Sequence, residues 1–318
     1  MESYNVSFVI PLKDEAETLE PLYRKILESI SSLNLSFEII FVDDGSTDGS
    51  FEIIKRLHKE DPKVKGIRFR RNFGKSSALS AGFKKAMGDI VITMDADLQD
   101  DPVEIPRFIE MINKGYDVVS GWKKIRYDSL SKTLPSRFFN RLTAWATGVD
   151  IHDFNCGFKA YKKDVVKSVE IYGELHRYIP ALAYGKGFNV GEIVVTHHPR
   201  KYGRSKYGWE RLVKGLLDLF TVVFLTRFFK RPMHIFGGTG AVIFILGFII
   251  NLYLLFYKIF TGALIGNRPL LTLGVLCMIL GVQSFSLGLL GEMINNISSD
   301  RKEDDSIVEE VGIDEYIS

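Results

Sequence analysis

Along the first 120 residues, short runs of consecutive apolar residues alternate with stretches whose apolar residues recur every three or four positions. Residues 6–12, 37–42, 64–69, 90–94 and 117–120 have the length and β-branched content of strands. Leu19, Leu22, Ile26, Leu27 and Ile30 form a helical stripe after the first, and helical patterns over 51–58, 76–87 and 103–113 follow the next three. Strands that are apolar throughout, rather than alternating, are buried on both faces. The βαβα rhythm therefore predicts a parallel sheet covered by helices on both sides.

The pattern changes completely after residue 208. Residues 235–257 and 269–291 contain no charged side chain, and each run of about 23 residues is long enough to cross ~30 Å of hydrocarbon as a helix. Ahead of them, Arg211, Lys214 and Asp218 share one helical face of the stretch 209–231, and Leu212, Val213, Leu216, Leu217 and Phe220 share the other. That stretch reads either as amphipathic helices lying in the membrane interface or as a last helix of the soluble part. Four parts are expected: residues 1–208 as a catalytic domain, 209–231 as juxtamembrane helices, 232–298 as a two-span membrane domain and 299–318 as a disordered tail. Small residues in the spans (Gly237, Gly238 and Gly240; Gly281, Gly288 and Gly291) admit close helix approach, within a chain or between subunits of a homo-oligomer.

Charge sets the expected orientation. Arg227, Lys230 and Arg231 crowd the entrance to the first span, whereas the connection 261–268 holds only Arg268. The positive-inside rule then keeps the N-terminal domain and the tail in the cytoplasm. The tail carries eight acidic and two basic residues, so the net charge of +2 leaves +8 on the chain before it. Cys156 and Cys277, the two cysteines, fall in different parts, which excludes a disulfide framework and suits a reducing compartment.

Candidate chemistry collects at predicted strand ends. Asp95-Ala96-Asp97-Leu98-Gln99 closes the fourth strand, and strand alternation brings Asp95 and Asp97 out on the same side. Two adjacent carboxylates repel unless a cation lies between them, and oxygen ligands suit Mg²⁺ or Mn²⁺ bridged to phosphate. The other reading is a solvated acidic turn. Pro11-Leu12-Lys13-Asp14-Glu15 ends the first strand and Val42-Asp43-Asp44-Gly45-Ser46-Thr47-Asp48 ends the second. Asp44 can accept from a base or ribose edge, while Ser46 or Thr47 can instead cap the next helix. No zinc-ligand spacing, Ser-His-Asp arrangement or nucleic-acid-binding pattern is present; His197 and His198 lack partner spacing and read as a strand-end feature.

In this order, followed by Arg71-Asn72-Phe73-Gly74-Lys75 and then the DxDxQ run, the chain resembles the family 2 glycosyltransferases with a GT-A fold. The likeness is greatest to the branch of dolichyl-phosphate mannose synthases and bacterial polyprenyl-phosphate glucosyltransferases. It extends through Arg200-Lys201-Tyr202-Gly203-Arg204-Ser205-Lys206, which matches that branch's RxxGxSK loop, and into the spans at Gly281-Val282-Gln283. The resemblance implies a Rossmann-like, mostly parallel sheet with helices on both faces. It implies a nucleotide site at Pro11, Lys13, Glu15, Val42, Asp44, Met94, Ala96 and Lys123. It implies a metal–diphosphate site at Asp95 and Asp97, with Gln99 as a further ligand, and phosphate contacts from Arg137 and Arg200 with Lys206 beside them. Arg suits that role because its fork of donors matches phosphate oxygens, though a surface ion pair is the alternative for each. On the acceptor or sugar side it implies Lys75, Asp153 and Ser205; Asp153 is either a sugar-hydroxyl ligand or a turn residue. Where the family often has an aromatic residue this chain has Lys13, and where it has Arg this chain has Lys123.

The implied activity is inverting transfer of one sugar from a UDP- or GDP-sugar to a polyprenyl phosphate in the membrane. A processive polysaccharide synthase is the second reading, but the chain lacks that class's QxxRW motif. A non-catalytic sugar-nucleotide-binding scaffold is the third, and the intact DxDxQ and RxxGxSK motifs weigh against it.

Overall fold

The computed structural model describes residues 5–124, 140–198, 219, 221–223, 232–262, 264, 266 and 268–299. The chain divides into two compact units, Met1–Val223 and Phe224–Ser318.

In the first unit, seven strands form one sheet: β1 (Val6–Leu12), β2 (Phe37–Asp43), β3 (Val64–Arg68), β4 (Ile90–Thr93), β5 (Val118–Trp122), β6 (Lys159–Lys162) and β7 (Val190–Val194). Their order is β3-β2-β1-β4-β6-β5-β7. Strand alternation splits the core in two. Phe8, Ile10, Ile39 and Phe41 point to the face covered by α1 (Ala16–Ile30), α2 (Ser50–Glu60) and α4 (Ile105–Asn113), through Leu19, Ile54 and Phe108. Val9, Ile40 and Val42 point to the face covered by α3 (Lys75–Lys85), α5 (Lys163–Ser168) and α6 (Ile179–Gly185), through Leu79, Val165 and Ile179.

The first four strands pair in parallel as expected, but the sheet is not parallel throughout. β6 lies antiparallel between β4 and β5, and β5 pairs in parallel with β7. The physical reason is entry direction: the segment 149–158 arrives at the edge where β4 ends, so the next strand runs back the other way. The helix expected over 103–113 starts as a 3-10 turn, Pro102–Glu104, with Asp101 accepting from Val103 N. The chain goes from β1 to β2 and β3 on one side and returns to β4 on the other. The ends of β1 and β4 therefore flank the point where the order reverses, which is where open α/β sheets bind ligands.

The second unit holds α7 (Pro232–Thr261) and α8 (Pro269–Ser299), both long and apolar enough to cross a membrane. Val242, Ile245, Ile249, Leu276, Ile279 and Leu287 are exposed, as side chains that face lipid are. The two helices touch through glycines: a Cβ on Gly240 would lie 2.7 Å from the carbonyl oxygen of Gly281, and one on Gly247 2.5 Å from that of Gly274. Ser284 Oγ adds a hydrogen bond to the Phe236 carbonyl at 2.9 Å. Gly240 and Gly281 from the expected small-residue set thus pack within one chain, while Gly238 meets nothing within 4 Å. The amphipathic stretch 209–231 and the tail lie almost wholly outside the described residues.

Candidate active site

Two loops at the ends of β1 and β2 are laced together. The backbone N–H groups of Asp14, Glu15 and Ala16 donate to Ser46 Oγ (2.8 Å), Ser50 Oγ (3.0 Å) and Asp48 Oδ2 (2.9 Å). Thr47 N donates back to Asp14 Oδ1 at 2.9 Å. Gly45 sits in the left-handed region at φ 75°, and a Cβ there would lie 2.6 Å from the backbone of Arg71, so this turn requires glycine. Ser46 is therefore a loop fastener here. These loops fix Pro11, Lys13, Glu15 and Asp44 around a cleft of about 230 Å³ that Lys75, Asp95, Ala96 and Asp97 complete. Val42 and Met94 are fully buried on opposite faces of the sheet, which leaves only their main chain to face a ligand.

Both carboxylates of the DxD motif line this cleft. Leu98 follows them at φ 60°, an unfavourable conformation for a side-chain-bearing residue, and Asp97 Oδ1 accepts from Gln99 N across that turn at 3.2 Å. Lys75, the first residue of α3, forms an ion pair with Asp95 Oδ1. Burial by itself raises the Asp95 carboxyl, but the ammonium groups of Lys75 and Lys123 outweigh it and hold the group well below the usual carboxylate range. Lys123 is itself paired with Asp100 Oδ1 at 2.7 Å; burial opposes its charge, and Asp100 overcomes that and raises it above the ordinary lysine range.

The donor set is two carboxylates on one cleft wall, and among the described residues no third His, Cys, Asp or Glu joins them. Oxygen ligands with open positions left for phosphate and water fit Mg²⁺ or Mn²⁺, and exclude a closed zinc site. Gln99 points elsewhere with part of its amide: its Nε2 donates to the His198 carbonyl at 3.3 Å, and His198 N returns a bond to the Gln99 carbonyl at 2.9 Å. The DxDxQ turn is thereby stitched to the chain that leads into the 200–206 motif. His198 Nε2 bonds Asp101 Oδ2 at 2.7 Å and His197 bridges Asp100, in keeping with a strand-end role for both.

Asp44 has a second task. Its two carboxylate oxygens accept the N–H groups of Phe73 (2.6 Å) and Gly74 (2.9 Å), so it shapes the loop that presents Lys75 as well as lining the cleft. Asp153 is fully buried; its Oδ1 accepts from Asn155 N at 3.1 Å and its N–H donates to Glu192 at 3.0 Å, which is turn-residue behaviour. Arg137, Arg200, Ser205 and Lys206 lie outside the described residues.

Three residues to which the sequence reading gives no role of their own also shape the site, one of them, Gly157, within the run Asp153–Phe158 that resembles the family's acceptor-side loop. Lys159 is buried, and its ammonium donates to the carbonyls of Phe154 (3.2 Å) and Cys156; burial pushes it down to about 8. Gly157 presses against Asp95 so closely that a Cβ would lie 2.7 Å from either carboxylate oxygen. His176 Nδ1 and Ser76 Oγ are hydrogen-bonded at 2.9 Å; burial, with Lys75 and Arg177 adding to it, pushes the imidazole well below its usual value and favours the neutral ring. The signal the sequence offered was Gly157, two residues ahead of the short strand β6.

Cys156 lies in the same loop, fully enclosed, and burial pushes its thiol up to about 12. Iodoacetamide at pH 8 is expected to modify Cys156 at least about 10²-fold more slowly in the folded chain than in urea, because the thiolate is the nucleophile. Peptide mass analysis checks this; equal rates would show that the loop opens.

Residues 7–169 match the family described as Glycosyl transferase family 2. The chain is 38% identical over 299 residues to the dodecaprenyl-phosphate galacturonate synthase of Rhizobium johnstonii, covering 92% of this chain and 88% of that one. It is 38% identical over 297 residues to the undecaprenyl-phosphate 4-deoxy-4-formamido-L-arabinose transferase of Pseudomonas paraeruginosa, covering 93% and 86%. Among solved structures, the glucosyl-3-phosphoglycerate synthase of Mycobacterium tuberculosis, in complex with Mn²⁺, uridine diphosphate and phosphoglyceric acid, superposes with a TM-score of 0.51. That likeness covers 70% of this chain and 78% of that one at 17% identity, and speaks for the fold. With the seven-stranded sheet and its DxD cleft, these matches make the chain a member of glycosyltransferase family 2, a GT-A enzyme followed by two membrane-length helices.

Proposed function

We propose that this enzyme transfers a single sugar from a nucleoside-diphosphate sugar to a polyprenyl phosphate, with inversion at the anomeric carbon. The observation that carries the reading is the coexistence in one chain of a DxD cleft at the sheet's switch point and a pair of helices long and apolar enough to span a bilayer. The named activities of two relatives that match over most of both chains support it.

A phosphate oxygen of the lipid attacks C1 of the sugar, and the C1–O bond to the nucleoside diphosphate breaks with its electron pair leaving on the diphosphate. The attacking oxygen is already anionic, so no base is required; what the reaction needs is charge stabilisation of the leaving group and alignment. Asp95 and Asp97 would hold a divalent ion, which when bound stabilises the departing diphosphate. Pro11, Glu15 and Asp44 contact the nucleoside, and Arg137, Arg200 and Lys206 the phosphates. The charge bias around the spans supports a catalytic domain facing the cytoplasm.

Incubating membranes with radiolabelled nucleotide sugars and undecaprenyl or dolichyl phosphate, then extracting lipid, tests the reading. A mild-acid-labile labelled lipid is expected with one donor; label confined to polymer would favour the processive alternative, and no label with any donor the scaffold. A chimera carrying an unrelated two-helix anchor in place of residues 209–297 is expected to lose about tenfold or more on a long polyprenyl phosphate, yet retain transfer to a short soluble analogue. Equal activity on both would show that the membrane part only tethers.

A further inference from the structure

Lys75 is placed with unusual care for a lysine at a helix start. The preceding loop is fixed by Asp44, whose carboxylate takes the N–H groups of Phe73 and Gly74, and Asn72 Oδ1 accepts from Gly74 N at 2.9 Å as well. Gly74 makes the turn at φ 91°, in a region that favours glycine. On the other side, Ser76 is buried and held by His176, whose N–H and Nδ1 both bond Ser76 Oγ (3.2 and 2.9 Å). The Lys75 backbone is thus clamped from both neighbours, and its ammonium reaches across to Asp95 Oδ1, the pair standing at the rim of the cleft with side chains 31% and 35% exposed.

Among the described residues, two other buried ammonium groups near this carboxylate are committed. Lys123 is paired with Asp100, and Lys159 is bonded to the carbonyls of Phe154 and Cys156. Asp97 contributes a second negative charge to the same wall. An amine already neutralising Asp95 and a divalent ion arriving at the DxD pair therefore seek the same oxygen, and like charges that close repel.

We propose that Lys75 is a resident counter-cation of the DxD pair, which neutralises Asp95 in the empty cleft and competes with a divalent ion for that carboxylate. This rests on the reading of Asp95 and Asp97 as ion ligands. Competition of this kind makes the ion a weak ligand by itself. It also couples the ion to the donor, since a diphosphate gives the displaced ammonium a new anionic partner.

The test is Mn²⁺ binding to the purified full-length chain in detergent, without nucleotide, followed by the electron paramagnetic resonance of free Mn²⁺. Lys75→Met is expected to bind Mn²⁺ about tenfold more tightly than the wild type, because an opposing charge is gone. Lys75→Arg keeps the charge and is expected to stay near the wild type. Lys75→Met/Asp97→Asn is expected to lose the gain, which assigns it to this site. Circular dichroism controls for folding. Wild-type binding with equal or weaker binding by Lys75→Met overturns the inference while leaving the ion-ligand reading standing; no binding by either protein overturns both.

Discussion

Asp97→Asn is expected to lower sugar transfer by about 10²–10³-fold while leaving the chain folded. The substitution keeps shape and removes one charge from a cleft wall. Its Oδ1 accepts from Gln99 N at 3.2 Å, a bond that an amide oxygen also accepts. Asp97 is 8% exposed, lines the cleft and belongs to neither apolar cluster. What is lost is half of the negative charge that would hold a divalent ion against the leaving diphosphate. Labelled lipid recovered per minute, beside circular dichroism of the same preparation, makes the measurement. Wild-type transfer by the variant in EDTA would remove the ion from the reaction.

The part of this site that was legible in the sequence is the part made within single segments. Ile90-Val91-Ile92-Thr93 reads as a buried strand because it is apolar on both faces, and two carboxylates separated by one residue at its end share a side by pleat geometry. The same reasoning found β1 and β2. It missed β6, where Lys159-Ala160-Tyr161-Lys162 is only four residues long and begins and ends on lysine, so nothing in its pattern announces a strand buried between two others. Lys159 reads as a surface residue; it is enclosed because two backbone carbonyls, contributed by the preceding loop, satisfy its ammonium. The Lys75–Asp95 pair was out of reach for another reason. It joins the start of α3 to the end of β4, and which helix lies beside which strand is a property of the sheet order. Asp44 illustrates the limit of resemblance: the likeness implied a nucleoside contact, and its bonds to Phe73 and Gly74 show a loop-shaping task that no motif encodes.

Gly157→Ala is expected to cost about 10²-fold in turnover with little loss of stability, a large effect for one methyl group. The added Cβ would lie 2.7 Å from both Asp95 carboxylate oxygens and 2.8 Å from the carbon between them, closer than such atoms approach. One of the two must move. The backbone at Gly157 has little freedom, because its carbonyl accepts from Thr93 Oγ1 at 2.8 Å and the neighbouring Cys156 carbonyl is held by the Lys159 ammonium. Asp95 is the softer partner: its side chain is partly exposed and tied through Lys75, a flexible residue at the rim. The methyl therefore pushes the carboxylate out of line with Asp97 instead of unfolding the loop. Displacing a positioned group by ~1 Å carries a penalty of this order. Gly238→Ala is the matched control, since a Cβ there meets nothing within 4 Å, and it is expected to leave turnover unchanged. Mn²⁺ affinity measured on the Gly157 variant separates the causes. A weakened ion with lost turnover places the effect at Asp95, whereas full turnover with normal Mn²⁺ binding would show that the wall carrying Asp95 has slack to absorb the methyl.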